Sequence, residues 1–329
     1  MLSRLRLLAV LVAVLTLGAG CSQGSLPGLG GSSGSDGRST DLAEGTCWTA
    51  ATLGADPQDV LKLAERYDVP YLIAARAVAT WPAFTRSVSC SDAHAVEVYK
   101  VVRLPDLDAQ LADYAGLLRL QTPLHDTVAR SVAQGCMTET LVAAAAKSGL
   151  PGAVMRPVLP VGATLGWAPA PPDRWSKGEH EFACTLTWAD PQPDRYAAVF
   201  TRSFPTEKRT CIDSRALVFV DCARNHDRER IAAIEARVAV AAGAFPGPKA
   251  IRTGPNGRYL AVGDARWAKL DAACTTYLRA VSTTKKLSGI ANVDVDQWPT
   301  PDGSYPVYCD ADRKPDQESL VTKGSVYDR

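Results

Sequence analysis

The positions of nine cysteines limit what this 329-residue chain can fold into. Cys21 stands alone after an apolar leader, and the other eight divide four and four between two halves of the chain. Because each half holds an even number, we predict two disulfides per half in an oxidising compartment, with three pairings possible in each. We expect no disulfide between the halves. The eight residues are Cys47, Cys90, Cys136 and Cys184, then Cys211, Cys222, Cys274 and Cys309.

The first 20 residues have the pattern of an export signal. Arg4 and Arg6 precede an apolar run over residues 7–17, and small residues stand directly before Cys21. The run is too short for a bilayer span, which needs about 20 apolar residues. The arrangement resembles the lipobox of bacterial lipoproteins, whose cysteine is diacylated and becomes the new N-terminus. It predicts a lipid on Cys21; the alternative is plain secretion with an unpaired thiol.

The composition after the leader indicates a tethered globular protein. Residues 21–44 are rich in Gly and Ser, which predicts a flexible tether between the lipid and a folded part outside the cytoplasm. The whole chain has 36 basic and 35 acidic residues and is 46% hydrophobic. This apolar content is enough for a sizeable core, and the near-neutral balance argues against nucleic acid as a partner. We expect the membrane to be reached through the lipid.

The two halves of the chain carry the same short motif. Residues 88–97 and 220–229 both read V-x-C-x3-H-x2-E, and each half adds an upstream cysteine, a cysteine in an Ala/Leu-rich stretch, and a Trp before its last cysteine. This order predicts a duplication, with module one over residues 45–207 and module two over 208–329. Module one has a helical insert at about 55–82. The repeated motif residues are His94, Glu97 and Trp175 in the first module and His226, Glu229 and Trp298 in the second.

These residues resemble the actinobacterial septum formation domain, which often carries a V-x-C-x2-P-H-x2-E-V core and a W-x2-G-x-R-x3-C segment near its end. The chain departs from that pattern at Ala93 and Asn225, which replace the proline, and at His180, which stands near the expected arginine. The resemblance covers about residues 45–329. It implies a cell-envelope role linked to division, and it implies no established catalytic site.

The repeated histidines allow three interpretations. An imidazole beside Glu97 or Glu229 could act as a general base, and with Cys90 or Cys222 it could bind zinc. The chain lacks a C-x2-C pair, however, and an oxidising compartment favours disulfides, so we expect neither a metal nor another cofactor. We favour a structural role, in which the imidazole bonds the loop backbone and a nearby glutamate fixes its tautomer.

The predicted fold class is α+β, with two duplicated modules that each hold a small antiparallel sheet, packed helices and two disulfides. Alternation over residues 96–104 predicts a strand. One segment is in conflict, because residues 228–242 have apolar residues at helical spacing while the repeat predicts a strand over 229–236; we follow the repeat. Helices are predicted over residues 56–67, 72–80, 106–120, 127–147 and 267–281.

The sequence therefore predicts a non-enzymatic envelope lipoprotein that presents its modules to other envelope or division proteins. This rests on the duplicated motif and on the absence of G-x-S-x-G, H-E-x-x-H, P-loop and Rossmann signatures. The alternative is an envelope ligand-binding protein or enzyme that uses the His94/Glu97 and His226/Glu229 pairs at a cleft between the modules. The insert is where module one could have gained a new role, unless it only covers an edge of the sheet.

Overall fold

Two large antiparallel sheets with helices packed on them, and one small two-stranded sheet, make up the described part of the chain. The computed structural model describes residues 42–49, 53–84, 86–214, 216, 218–255, 257–283, 287–313 and 323–328. The predicted signal segment, the predicted lipidation site Cys21 and nearly all of the predicted tether lie outside these residues. Among the residues described, no helix has the length and apolarity needed to cross a membrane.

Thirteen strands lie within the described ranges, numbered here in chain order. They are β1 (Thr46–Trp48), β2 (Ser87–Val88), β3 (His94–Arg103), β4 (Val154–Pro157), β5 (Ala163–Pro169), β6 (Glu181–Gln192), β7 (Thr210–Asp213), β8 (Val218–Asp221), β9 (Arg228–Glu235), β10 (Ile251–Gly254), β11 (Gly257–Leu260), β12 (Leu287–Asn292) and β13 (Pro306–Arg313).

Ten α-helices and several 3-10 turns connect or cover these strands in the same ranges. The helices are α1 (Pro57–Arg66), α2 (Tyr71–Val78), α3 (Asp108–Leu111), α4 (Ala115–Leu118), α5 (Pro123–Gly135), α6 (Glu139–Lys147), α7 (Pro172–Trp175), α8 (Tyr196–Val199), α9 (Arg237–Ala241) and α10 (Asp264–Val281). The 3-10 turns are Leu53–Ala55, Pro105–Leu107, Thr206–Lys208, Pro248–Ala250, Val295–Gln297 and Val326–Asp328.

The two large sheets have the same strand order. The first sheet runs β2-β1-β3-β6-β5 and the second runs β8-β7-β9-β13-β12, so in each the central strand lies between two pairs of strands that are consecutive in the chain. All pairings between these strands are antiparallel. The predicted α+β class with antiparallel sheets is therefore confirmed. Common ancestry of the two halves stays a prediction.

The four disulfides also occupy matching places in the two sheets. Cys47–Cys90 joins β1 to the loop after β2, and Cys211–Cys222 joins β7 to the residue after β8. Cys136–Cys184 and Cys274–Cys309 each join a helix or its end to the long strand beside the central one. All eight predicted cysteines are thus bonded within their own half, which confirms the predicted grouping and selects one of the three possible pairings.

One segment of the predicted first module belongs to the core of the second sheet. β4 pairs with β9, aligning Val154 with Glu235, and α6 packs along α10. Buried side chains from residues 137–155, such as Met155, join the apolar cluster of the second sheet. The two sheets are consequently linked by shared structure as well as by the chain between them.

Two of the predicted helices are interrupted by a side chain that accepts a hydrogen bond from a backbone amide at the start of a new helix. The helix predicted over residues 127–147 is divided at Thr138, whose hydroxyl accepts a hydrogen bond from the Leu141 amide and so caps α6. The helix predicted over 106–120 is divided where the Asp113 carboxylate accepts from the Ala115 amide. A capping side chain competes with the helical backbone, which apolar spacing alone does not reveal.

The conflict over residues 228–242 is resolved in favour of the repeat. The segment forms strand β9 up to Glu235, and the short helix α9 begins only at Arg237. Ile231 and Ile234 are both fully buried. The pairing of β9 with β13 is irregular here: Arg230 lies opposite Asp310 and Ala232 lies opposite Cys309, which leaves Ile231 as an extra residue. Such a bulge interrupts the alternation of side chains along the strand.

The first prediction compares two disulfides at matching positions. Their cysteines are separated by 43 residues for Cys47–Cys90 and by 11 for Cys211–Cys222. Because a disulfide restricts the unfolded chain more when it closes a longer loop, we expect replacement by alanines to lower the free energy of unfolding by about 4 kcal/mol for the first pair and about 3 kcal/mol for the second. Urea unfolding of the two double variants measures this order. A larger loss for Cys211–Cys222 would show that packing around the sulfurs outweighs loop closure.

Candidate functional site

The repeated histidines are buried and bonded to their own loops. His94 begins β3, and its Nδ1 lies 2.9 Å from the carbonyl oxygen of Asp92. His226 stands just before β9, and its Nδ1 lies 2.9 Å from the carbonyl oxygen of Arg224. Since a carbonyl oxygen only accepts, Nδ1 donates in both cases and the tautomer is fixed by the loop backbone. This matches the favoured structural interpretation, although the tautomer is set by the carbonyl oxygen and not by the glutamate.

The glutamate of the first motif holds the chain segment that follows β6. Glu97 is buried, and its Oε1 accepts from Arg195 Nε at 3.2 Å. Its other oxygen, Oε2, accepts a short hydrogen bond from the backbone amide of Tyr196 at the start of α8. The carboxylate is therefore charge-paired and hydrogen-bonded, which is what allows it to stay buried.

The glutamate of the second motif holds the C-terminal segment in the same way. Glu229 Oε1 accepts from Ser325 Oγ at 2.7 Å, and Oε2 accepts from the Val326 amide at 2.6 Å. By these hydrogen bonds, residues 325–326 of the second half correspond to residues 195–196 of the first half. In each half the glutamate fastens a later segment of the chain onto the central strand.

The two motif tryptophans are core residues. Trp175 is buried and its Nε1 donates to the carbonyl oxygen of Leu111 at 2.7 Å. Trp298 is also buried and packs edge-on against Phe245 and Tyr305, with ring centroids 6.0 and 5.0 Å away. Both side chains thus pack in the core, and Trp175 also donates a hydrogen bond to the backbone.

One group of potential metal ligands lies in the second motif. Atoms of Cys211, Cys222 and Glu229 lie within 4.8 Å of one another. Both sulfurs, however, are joined in the Cys211–Cys222 disulfide, and a metal is bound by thiolate sulfur. The Glu229 oxygens already accept the hydrogen bonds described above. The group therefore has the donor set of a structural core and does not fit a metal ion.

A cavity of about 660 Å³ opens on the first sheet, away from the motif histidines. Tyr99, Leu165 and Trp167 line it from the sheet. The surrounding walls come from the end of α2, one face along α5, the start of α6, β4 and α8. Wall residues include Trp81, His125, Cys136, Met155 and Tyr196.

The cavity exists because α5 stops where its counterpart continues. α10 carries Cys274 in its middle and runs on to Val281, lying along β12 so that Thr275 Oγ1 donates to the Gly289 carbonyl oxygen at 3.1 Å. α5 ends at Gly135, one residue before Cys136. The chain then turns into α6, which packs on the second sheet. The stretch of the first sheet beyond the disulfide, around Leu165, is therefore not covered by a continuation of α5. Leu165 packs instead against the cluster that includes Tyr196 and Val199 of α8, and it borders the cavity.

The electrostatics of the cavity favour anions. Of the described residues, none that line it is an aspartate or glutamate, whereas Arg76 and Arg156 stand exposed at its border. Burial lowers the pKa of His125 below its ordinary value, so this imidazole is neutral at neutral pH and the positive charge comes from the arginines. Burial also raises the pKa of Tyr99, and burial with the nearby Glu97 carboxylate raises the pKa of Tyr196 to about 12. Both phenols are therefore uncharged.

A second cavity of about 660 Å³ adjoins the first across β4. Arg156 lines both, but the second also has Asp126, Glu235 and Asp302 at its border. Glu235 Oε1 accepts from two backbone amides, those of Arg237 at 2.8 Å and Tyr305 at 2.9 Å. The acidic side chains thus lie on one side of Arg156 and the apolar cavity lies on the other.

Of the residues singled out from the sequence, only Cys136 lines the first cavity. The space beside His226 and Glu229 measures about 10 Å³, room for no more than a water molecule. The space at the second His/Glu pair therefore has no room for a substrate, and a cleft between the modules at these pairs stays a prediction. The residues missed were Arg76, Tyr99, Arg156 and Trp167. No motif marks them, because they come from four elements brought together by tertiary packing.

Comparison of the chain with protein families, with curated proteins and with solved structures finds no match in any of the three. Membership of the septum formation family accordingly stays a prediction from the motif residues.

The second prediction tests the role of the motif glutamates. Glu97→Ala or Glu229→Ala leaves a buried backbone amide without its acceptor, so we expect each to lower the free energy of unfolding by about 2 kcal/mol or more. The matching Gln variants keep an acceptor oxygen and should lose less. Glu207→Ala, at an exposed glutamate, is the control and should change stability by under about 0.5 kcal/mol. Chemical unfolding compares the five variants; equal losses for Glu97→Ala and Glu207→Ala would contradict the anchoring role.

Proposed function

We propose that this protein is a non-enzymatic, lipid-anchored component of the cell envelope that presents its disulfide-bonded sheets to other division or wall-building proteins. The observation that carries the proposal is the use of the repeated motif. His94 and Glu97, like His226 and Glu229, hold loops and tail segments in place. A motif that serves the fold twice in one chain is better explained by a scaffold than by two active sites.

The compartment in the proposal is supported by the disulfides. Four disulfides join all eight cysteines after Cys21, which is consistent with an extracytoplasmic protein. The lipid anchor is proposed from the leader and Cys21. The septal role is proposed from the resemblance of the two motifs to the septum formation domain, and the partners from that role.

The chemistry of the motif also argues against the enzymatic alternative. A general base needs a side chain that can reach a substrate proton. His94 and Glu97 are 0% and 2% exposed, and His226 and Glu229 are 4% and 3% exposed. These groups are therefore enclosed in protein. The ligand-binding form of the alternative is favoured by a different observation, the cavity on the first sheet.

The third prediction concerns position in the cell. A C-terminal fusion to a fluorescent protein that folds outside the cytoplasm should concentrate at the septum of dividing cells. Cys21→Ala should abolish that enrichment, because it removes the lipid acceptor, whereas Ser22→Ala should leave it unchanged. Fluorescence microscopy of the three strains, with membrane fractionation of the same cells, gives the result. An even envelope signal through the whole division cycle would refute the septal proposal.

A further inference from the structure

The cavity on the first sheet has the properties of a ligand site. At about 660 Å³ it falls in the range of roughly 300–1,000 Å³ that is typical of small-molecule sites. We propose that it binds an anionic amphiphile, a molecule with an apolar body and a carboxylate or phosphate head group that Arg76 and Arg156 hold. This goes beyond the proposed scaffold function and does not depend on where the protein lies in the cell.

The apolar part of the ligand is inferred from the surface that the missing helix leaves uncovered. In the second half, the end of α10 places the fully buried Leu278 and the buried Tyr277 over the sheet. In the first half, the corresponding face offers Leu165 and Trp167, which are only partly buried. An apolar ligand body would remove this surface from water, gaining about 25 cal/mol per Å² of apolar area buried. The ligand would thus cover the apolar face of the first sheet, as the end of α10 covers the corresponding face of the second sheet.

The charge of the head group is inferred from the two arginines. Arg76 is supplied by α2 of the insert and Arg156 by β4, so they approach the cavity from different walls. Neither forms an ion pair with a carboxylate within the ranges that the structure describes. A guanidinium group presents paired donors that match the oxygens of a carboxylate or phosphate. A neutral head group would accept hydrogen bonds there without an ion pair, and a cationic head group would be repelled.

The insert acquires a role under this proposal. Residues 76–81, which come from α2 and the turn after it, include five that line the cavity, among them Arg76 and Trp81. The Trp81 and Trp167 rings lie with centroids 6.1 Å apart, so the insert is packed onto the sheet at the cavity border. In the second module the cysteines of the matching disulfide are only 11 positions apart, which leaves no room for such a wall.

The fourth prediction is tested by isothermal titration calorimetry on the full chain, purified with its disulfides intact. Decanoate, decyl phosphate, 1-decanol and decyltrimethylammonium share one alkyl chain and differ in the head group; each is used below its micellar concentration. We expect one decanoate or decyl phosphate to bind per chain, at least tenfold more tightly than decanol and decyltrimethylammonium. The two anionic probes distinguish a carboxylate ligand from a phosphate ligand. Equal affinity for all four probes, or binding of none, would overturn the proposal.

Variants locate the binding site. The double variant Arg76→Gln/Arg156→Gln should lose the preference for anions. Its affinity for decanoate should fall at least tenfold, and its affinity for decanol should not change. Arg86→Gln, at an exposed arginine outside the cavity, is the matched control and should bind as the unaltered chain does. Ala133→Phe, which places a ring at the cavity border, should abolish binding of all probes. Because both cavity arginines are exposed, their variants should fold even if Ala133→Phe does not. Equal affinities in the double variant and in Arg86→Gln would place the anion elsewhere and refute the assignment.

Discussion

The bond on which most of the architecture depends is the disulfide between a helix and the long strand beside the centre of each sheet. Cys136–Cys184 and Cys274–Cys309 place the helix over the sheet at one point in each half. In the second half the contact is very close, since a Cβ at Gly289 would lie 2.3 Å from the backbone of Cys274. Only glycine allows α10 to rest on β12 at that distance. The covalent anchor and the glycine together fix the layer spacing of the second sheet.

The same anchor has a different consequence in the first half, because there it lies at the end of the helix. Beyond Cys136 the chain leaves the first sheet, and α6 and β4 complete the core of the second. The second sheet therefore depends on residues that come before it in the predicted first module. Separating the chain at residue 207 would remove a paired strand and a packed helix from its core. The first sheet, in return, keeps an uncovered apolar surface that becomes the cavity.

The sequence allowed some of this fold to be predicted, and the reasons are local. Even numbers of cysteines in each half predicted the disulfide grouping, and the repeat predicted the strand over residues 229–236 against its own helical spacing. The break before α6 was missed because it depends on the Thr138 hydroxyl accepting from the Leu141 amide, which competes with an otherwise continuous helical pattern. The pairing of β4 with β9 was missed because Val154 meets Glu235 through a non-local contact that no periodicity encodes.

The candidate site could not be predicted for a related reason. Motif reasoning directs attention to residues that recur in both halves, and these turned out to hold the fold: His94 bonds its loop and Glu97 fastens α8. A residue that gives only one half a binding surface does not recur in the other half, so a search for repeated motifs does not find it. Arg76 on the insert and Arg156 on β4 are of this kind. If the two halves share an ancestor, the proposed binding belongs to a place where they differ: the surface that the end of α10 covers in one half has no such cover from α5 in the other.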